Sequence, residues 1–146
     1  MSDLMQQYNS APSAPRDSIV WWVQAVATLG ALLNATGALI ALINPALLVS
    51  PPAQISDAVH IYAGYMASRN LALALLLVAL VAMRASRALG NLMALVGLIQ
   101  LIDACIDCVE GRWPIVPGVL VFGVLFLICA ARLAGYPFWK RAAWIS

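Results

Sequence analysis

Charge is scarce in this chain. Of its 146 residues only 10% are Asp, Glu, Lys or Arg, against about a quarter in an average soluble domain. With 64% of the residues hydrophobic, a domain this small would leave large apolar patches in water, which soluble proteins avoid. Histidine is scarcer still. His60 is the only one; it falls on roughly the opposite face of its helix from Arg69 and has no compact ligand spacing with cysteines or carboxylates, so no metal site is expected. The net charge of +2 is small, and neither a phosphate-cradling glycine loop nor a nucleic-acid motif is present. No nucleic-acid partner and no cofactor are expected.

What the chain has in excess is long apolar runs. A hydrocarbon core of about 30 Å needs about 20 apolar residues per helix, and four stretches have that length: about 19–44, 59–83, 88–109 and 115–133. Between them stand helix-stopping residues: Asn44-Pro45, Pro51-Pro52, the stretch 84–90, and Gly111 to Pro117. Short connections make sequential helices antiparallel neighbours. The fold class expected is an all-α membrane protein, an up-down-up-down bundle of four transmembrane helices over 19–135, with both termini on one side. Arg16, Arg84, Arg87, Arg132, Lys140 and Arg141 fall on that side and only Arg112 on the other, which predicts cytoplasmic termini. Residues 1–18 lack the basic start and short apolar run of a secretory signal and read as a mobile polar tail, followed by Trp21 and Trp22 as interfacial anchors. Residues 136–146 mix aromatic and basic side chains and read as an interfacial segment. Gly30, Ala31, Gly37, Gly64 and Gly97 are small residues of the kind that lets helices pack closely in lipid.

Against this apolar background the intramembrane charges stand out. Arg69 lies well inside the second span and cannot shed its charge. Alone in lipid it would cost about 2.5–3.5 kcal/mol, so it is expected to face the bundle interior with an acidic partner. On the third helix Gln100, Asp103, Asp107 and Glu110 fall within an arc of about 80°. On the second, Tyr62, Tyr65 and Arg69 fall within about 60°. The two stripes are expected to face each other, with Asp103 as the first-choice partner of Arg69. Asn34 and Asn70 complete the lining, Trp113 covers the mouth, and the fourth helix supplies an apolar wall. A single structural ion pair would need none of the extra carboxylates, phenols and amides. Surplus polarity in lipid points to a ligand, a proton path or water.

Cys105 and Cys108 form a C-x-x-C, a pattern shared with thiol oxidoreductases of four membrane helices. Both point well away from the acidic stripe, and no loop cysteines are at hand to pass electrons on. With Cys129 they are expected to be small packing residues. The stretch Ser68-Arg69-Asn70-Leu-Ala-Leu-Ala-Leu, then Arg87-Ala-Leu-Gly90, then Leu101-Ile-Asp103-Ala, closing with Gly111, resembles a family of small four-helix membrane proteins similar to the DoxX group of bacterial membrane proteins. The resemblance covers about the second and third helices. It implies that Arg69, Asn70 and Asp103 occupy recurring polar positions, and it implies no particular activity.

Together these features predict an enzyme of the isomerase, cyclase or epoxide-hydrolase type acting on an apolar small molecule that enters from the bilayer. Its chemistry is cofactor-independent acid/base chemistry, with Asp103 as base, Asp107 as acid, Arg69 as the orienting charge and Tyr65 or Tyr62 donating to the substrate oxygen. Asn70, Asn34, Gln100, Glu110 and Trp113 are the expected substrate-binding residues. The competing expectations are a transport or accessory protein, for which a homo-oligomer would offset the small size, and a structural subunit. Transport would need a polar path continuing to the cytoplasmic side.

Overall fold

The computed structural model describes residues 19–48 and 57–134. The expected polar tail, the Pro51-Pro52 stop and the C-terminal interfacial segment lie outside the described residues. Four α-helices follow in chain order: α1 (Trp21–Ile43), α2 (Asp57–Ala82), α3 (Ser86–Val109) and α4 (Val116–Ala134), with a 3-10 turn over Pro45–Leu48 after α1. Their lengths are 23, 26, 24 and 19 residues, and each is long and apolar enough to cross a membrane. At 1.5 Å per residue they run from about 28 to about 39 Å, the thickness of a bilayer core or slightly more. No strand is present among the described residues. The chain is a multi-pass membrane protein built as a four-helix bundle. Its outer faces are apolar, as lipid requires: Leu42 and Leu75 are each 62% exposed.

Sequential helices are not equally close neighbours. α1 lies along α2 and α3 along α4, whereas α2 and α3 touch over a short stretch only. The cause is where the small residues fall, because helices in lipid associate through surfaces that let backbones approach. On α1 the buried positions include Ala27, Ala31, Ala38 and Ala41; on α2 they include Ala63, Ala67 and Ala74. Spacings of three and four residues keep such positions on one seam. Gly37 joins that seam, since a Cβ there would lie 3.2 Å from the Asn70 amide nitrogen. Between α3 and α4 the contact is backbone to backbone: a Cβ on Gly97 would come within 3.0 Å of the Gly123 carbonyl oxygen and 2.9 Å of Leu127 Cγ. Gly64 has nothing within 4 Å of its Cβ position, so the packing role expected for it is not the one it has.

The two helix pairs meet in one half of the bundle and part in the other. At the end nearest residues 21, 82, 86 and 134, Val23, Leu77, Leu89, Met93, Val96, Phe126 and Cys129 are fully buried together. At about 0.8 kcal/mol per buried CH₂ in water this would be a strong core; between lipid-facing helices its value lies in close dispersion contact. In the other half only the alanine seam of α1 and α2 is buried as a cluster. A hollow lies between the pairs there.

Both turns that cross between α2, α3 and α4 end their helices in the same way. After α2, Arg84 takes a left-handed φ of 53°, with Arg84 N–H donating to Val81 and Ala85 N–H to Leu80 at 3.1 Å each. After α3, Gly111 takes φ 72°, with Gly111 N–H donating to Cys108 at 3.3 Å and Arg112 N–H to Asp107 at 2.8 Å. These are Schellman motifs. Glycine suits the second one because a left-handed residue with a Cβ costs about 1–2 kcal/mol. The turn sends Arg112 back over the end of α3.

Candidate functional site

The hollow between the helix pairs has a volume of about 650 Å³, within the range of small-molecule sites. All four helices line it. Its apolar surface comes from Leu33 of α1, Met66 of α2, Ile106 of α3, and Val119, Phe122 and Phe126 of α4. Phe126 is the floor: its ring occupies the space a Cβ on Gly30 would need, and the buried core begins around it.

The polar surface is concentrated on one side. Arg69 of α2 donates from Nη2 to Asp103 Oδ2 of α3 at 3.3 Å, which is the pairing that their levels in the bilayer lead one to expect. One helical turn further on, Asp107 Oδ1 pairs with Arg112 Nη1 at 3.3 Å. Two carboxylates at i and i+4 repel on a helix, and here each has an arginine of its own. The result is a line of alternating pairs, Arg69–Asp103 and Asp107–Arg112, running from mid-bilayer towards the end of α3. Gln100, Asn34 and Asn70 border it. Asn34 and Asn70 are buried; the Asn34 amide donates back to the Gly30 carbonyl at 2.8 Å, so that amide is held on its own helix.

Several expected site residues lie elsewhere. Tyr62 and Tyr65 are 75% and 72% exposed and do not line the main hollow. They line a second one, about 620 Å³, with Pro45, Val59 and Ala63, and it shares Met66, Arg69 and Ile106 with the first. The reason is the alanine seam: Ala63 and Ala67 commit one face of α2 to α1, and Tyr62, one position back, is rotated by about 100° from that face. Glu110 is exposed and lines neither hollow; it is the first residue beyond α3, where a carboxylate stays hydrated at the membrane surface. Trp113 is exposed and does not cover the mouth; Pro114 and Ile115 line the hollow in its place, and the indole takes an interfacial position suited to its amphipathic ring.

Arg112 is the site residue that sequence reasoning missed, because it reads as an ordinary loop charge. The signal that could have found it is Gly111 directly before it, which marks a helix-ending turn that returns the next residue towards the helix. Cys105 is exposed, Cys108 half-buried and Cys129 buried, all three are free, and none lines either hollow. No group of three or more metal-ligating side chains is present among the described residues.

Chemically the site can hold a molecule with an apolar body and a polar head. The guanidinium of Arg69 carries five N–H donors, of which the Asp103 contact uses one. The two carboxylates supply acceptors able to take a proton from a substrate carbon or oxygen. Comparison with protein-family models, with curated proteins and with solved structures found no match.

Proposed function

We propose that this protein is a membrane enzyme acting on an apolar small molecule by cofactor-independent acid/base chemistry, of the isomerase, cyclase or epoxide-hydrolase type. The observation that carries this reading is the mixed hollow of about 650 Å³ in which two arginine–aspartate pairs face Phe122, Phe126 and Met66. Asp103 is the base and Arg69 orients the substrate oxygen. Asp107 with Arg112 forms the acid side of the site, and Gln100, Asn34 and Asn70 hold the substrate. Tyr62 and Tyr65 serve on the approach rather than at the reacting atoms. A place in the DoxX-like group belongs to the same proposal, since Arg69, Asn70 and Asp103, its recurring polar positions, all border the hollow.

Transport is disfavoured by the core beneath the hollow. Leu77, Met93, Val96 and Phe126 are fully buried there, and an apolar plug of that kind offers no polar path through the other half of the bilayer. We also place both termini in the cytoplasm, supported by Arg84, Arg87 and Arg132 at one end of the bundle and Arg112 at the other.

The test is a comparison of lipid extracts from membranes that contain the protein or its Asp103→Asn variant at equal abundance. A product that forms with the protein and is lost with the variant is expected, the two being compared at equal amounts of folded protein because the variant leaves the Arg69 charge without its partner. Identical extracts from both, across hosts that supply terpenoid and polyketide precursors, would refute the enzymatic reading.

A further inference from the structure

We infer that the substrate is an uncharged, chain-bearing lipid with an oxygen-containing head, and that it reaches the ion pairs sideways from the bilayer through the gap between α2 and α3. This rests on the site proposed above and names its ligand class and route.

The route follows from how the helices pair. α2 spends its small-residue face on α1 and α3 spends its own on α4, so α2 and α3 are held together over a short stretch only. At that seam the main hollow and the second hollow share Met66, Arg69 and Ile106. The second hollow is lined by Tyr62, Tyr65, Val59 and Pro45, and its tyrosines are largely exposed on the outer face of a membrane-spanning helix. A chain lying there touches aromatic and aliphatic surface, and its head arrives at Arg69. Tyr hydroxyls and Arg69 are the polar marks along an otherwise apolar track.

The ligand's charge follows from the balance inside the site. Two arginines and two aspartates border the main hollow, each arginine paired with one aspartate, and no other charged residue among the described ones borders it. The site is neutral as it stands. An anionic or cationic head would add an uncompensated charge to a low-dielectric space, and such a charge carries a heavy desolvation penalty. A hydroxyl, carbonyl or epoxide oxygen can accept from the unused N–H donors of Arg69 and leave the balance intact.

The experiment uses the full chain in nanodiscs of neutral lipid and two photoactivatable probes of the same chain, a long-chain primary alcohol and an alkyl sulfonate. Each carries a diazirine in the chain and a terminal alkyne, and labelled residues are mapped by mass spectrometry. The alcohol is expected to label Tyr62, Tyr65, Met66 and Ile106 well above the lipid-facing Leu42 and Leu75. The sulfonate, which stays ionised, should label the same four residues at least about tenfold less. Ile106→Trp, at a half-exposed position, and independently Met66→Trp, should remove alcohol labelling of Phe122 and Val119 in the main hollow. Labelling by the alcohol that is even over all lipid-facing residues overturns the route; equal labelling by the sulfonate overturns the neutral head. The readout is attachment and not turnover. An extract unaffected by Asp103→Asn with labelling as expected sinks the enzyme and leaves the lipid site, and the reverse result sinks only the lipid site.

Discussion

Breaking the Arg69–Asp103 pair tests whether the two helix pairs are joined where the site is. The charges are 3.3 Å apart, and at an effective dielectric of about 20 two unit charges at that distance attract by about 5 kcal/mol. Much of that is offset by the desolvation of both ions. The side chains are also 44% and 32% exposed, so screening within the hollow reduces it further. A net coupling of about 1–2 kcal/mol remains, the range found for polar contacts in model membrane peptides and above the average coupling measured between membrane helices. The perturbation is a double-mutant cycle: Arg69→Met, Asp103→Leu and the two together. Each single change strands the partner charge and should destabilise by about 2–3 kcal/mol, while the double variant should lose less than the sum by the coupling energy. Reversible unfolding in mixed micelles measures all four free energies. Additive single effects would show that the guanidinium and carboxylate do not meet in the membrane, and the site as described would not exist.

Further outcomes follow from the glycines. Gly111→Ala places a Cβ at φ 72° and should destabilise the α3–α4 turn by about 1–2 kcal/mol; because the same turn aims Arg112 at Asp107, product formation should fall further than it does for the unrelated turn variant Arg84→Ala. Gly97→Leu forces apart a contact in which the Gly123 carbonyl already lies 3.0 Å from the Cβ position, and overpacking of this kind costs about 1–3 kcal/mol. Gly64→Ala meets open space and should be neutral or stabilise by up to about 1 kcal/mol through helix propensity. Unfolding midpoints in one detergent, compared across the three, check the ordering.

Much of the fold was legible because bilayer thickness and hydrogen-bonding leave a chain this apolar almost one solution: helices of bilayer length joined by short turns. Arg69 and Asp103 were legible as partners because an arginine inside a span must find an anion, and the antiparallel order of α2 and α3 brings Asp103 to a similar level. The rotation of α3 was legible too, since Gln100, Asp103 and Asp107 line the hollow, but the rotation of α2 was not. Polar stripes on a helical wheel placed Tyr62 and Tyr65 opposite the carboxylates, yet the alanines at 63 and 67 decide which face of α2 is buried. In lipid, small residues set the interface and polar ones are accommodated around it. Arg112 was hidden for a different reason: its position depends on the left-handed Gly111 and not on any helical period, so no wheel contains it.

The uneven pairing of the helices bears on how the molecule is assembled in its membrane. Each hairpin is packed along its own length, α1 with α2 and α3 with α4. Among the described residues neither unit is electrically balanced at the hollow on its own: the first brings the cation Arg69, the second two aspartates against Arg112. Their union therefore neutralises both. The packing step that closes the bundle is the same step that assembles the Arg69–Asp103 pair.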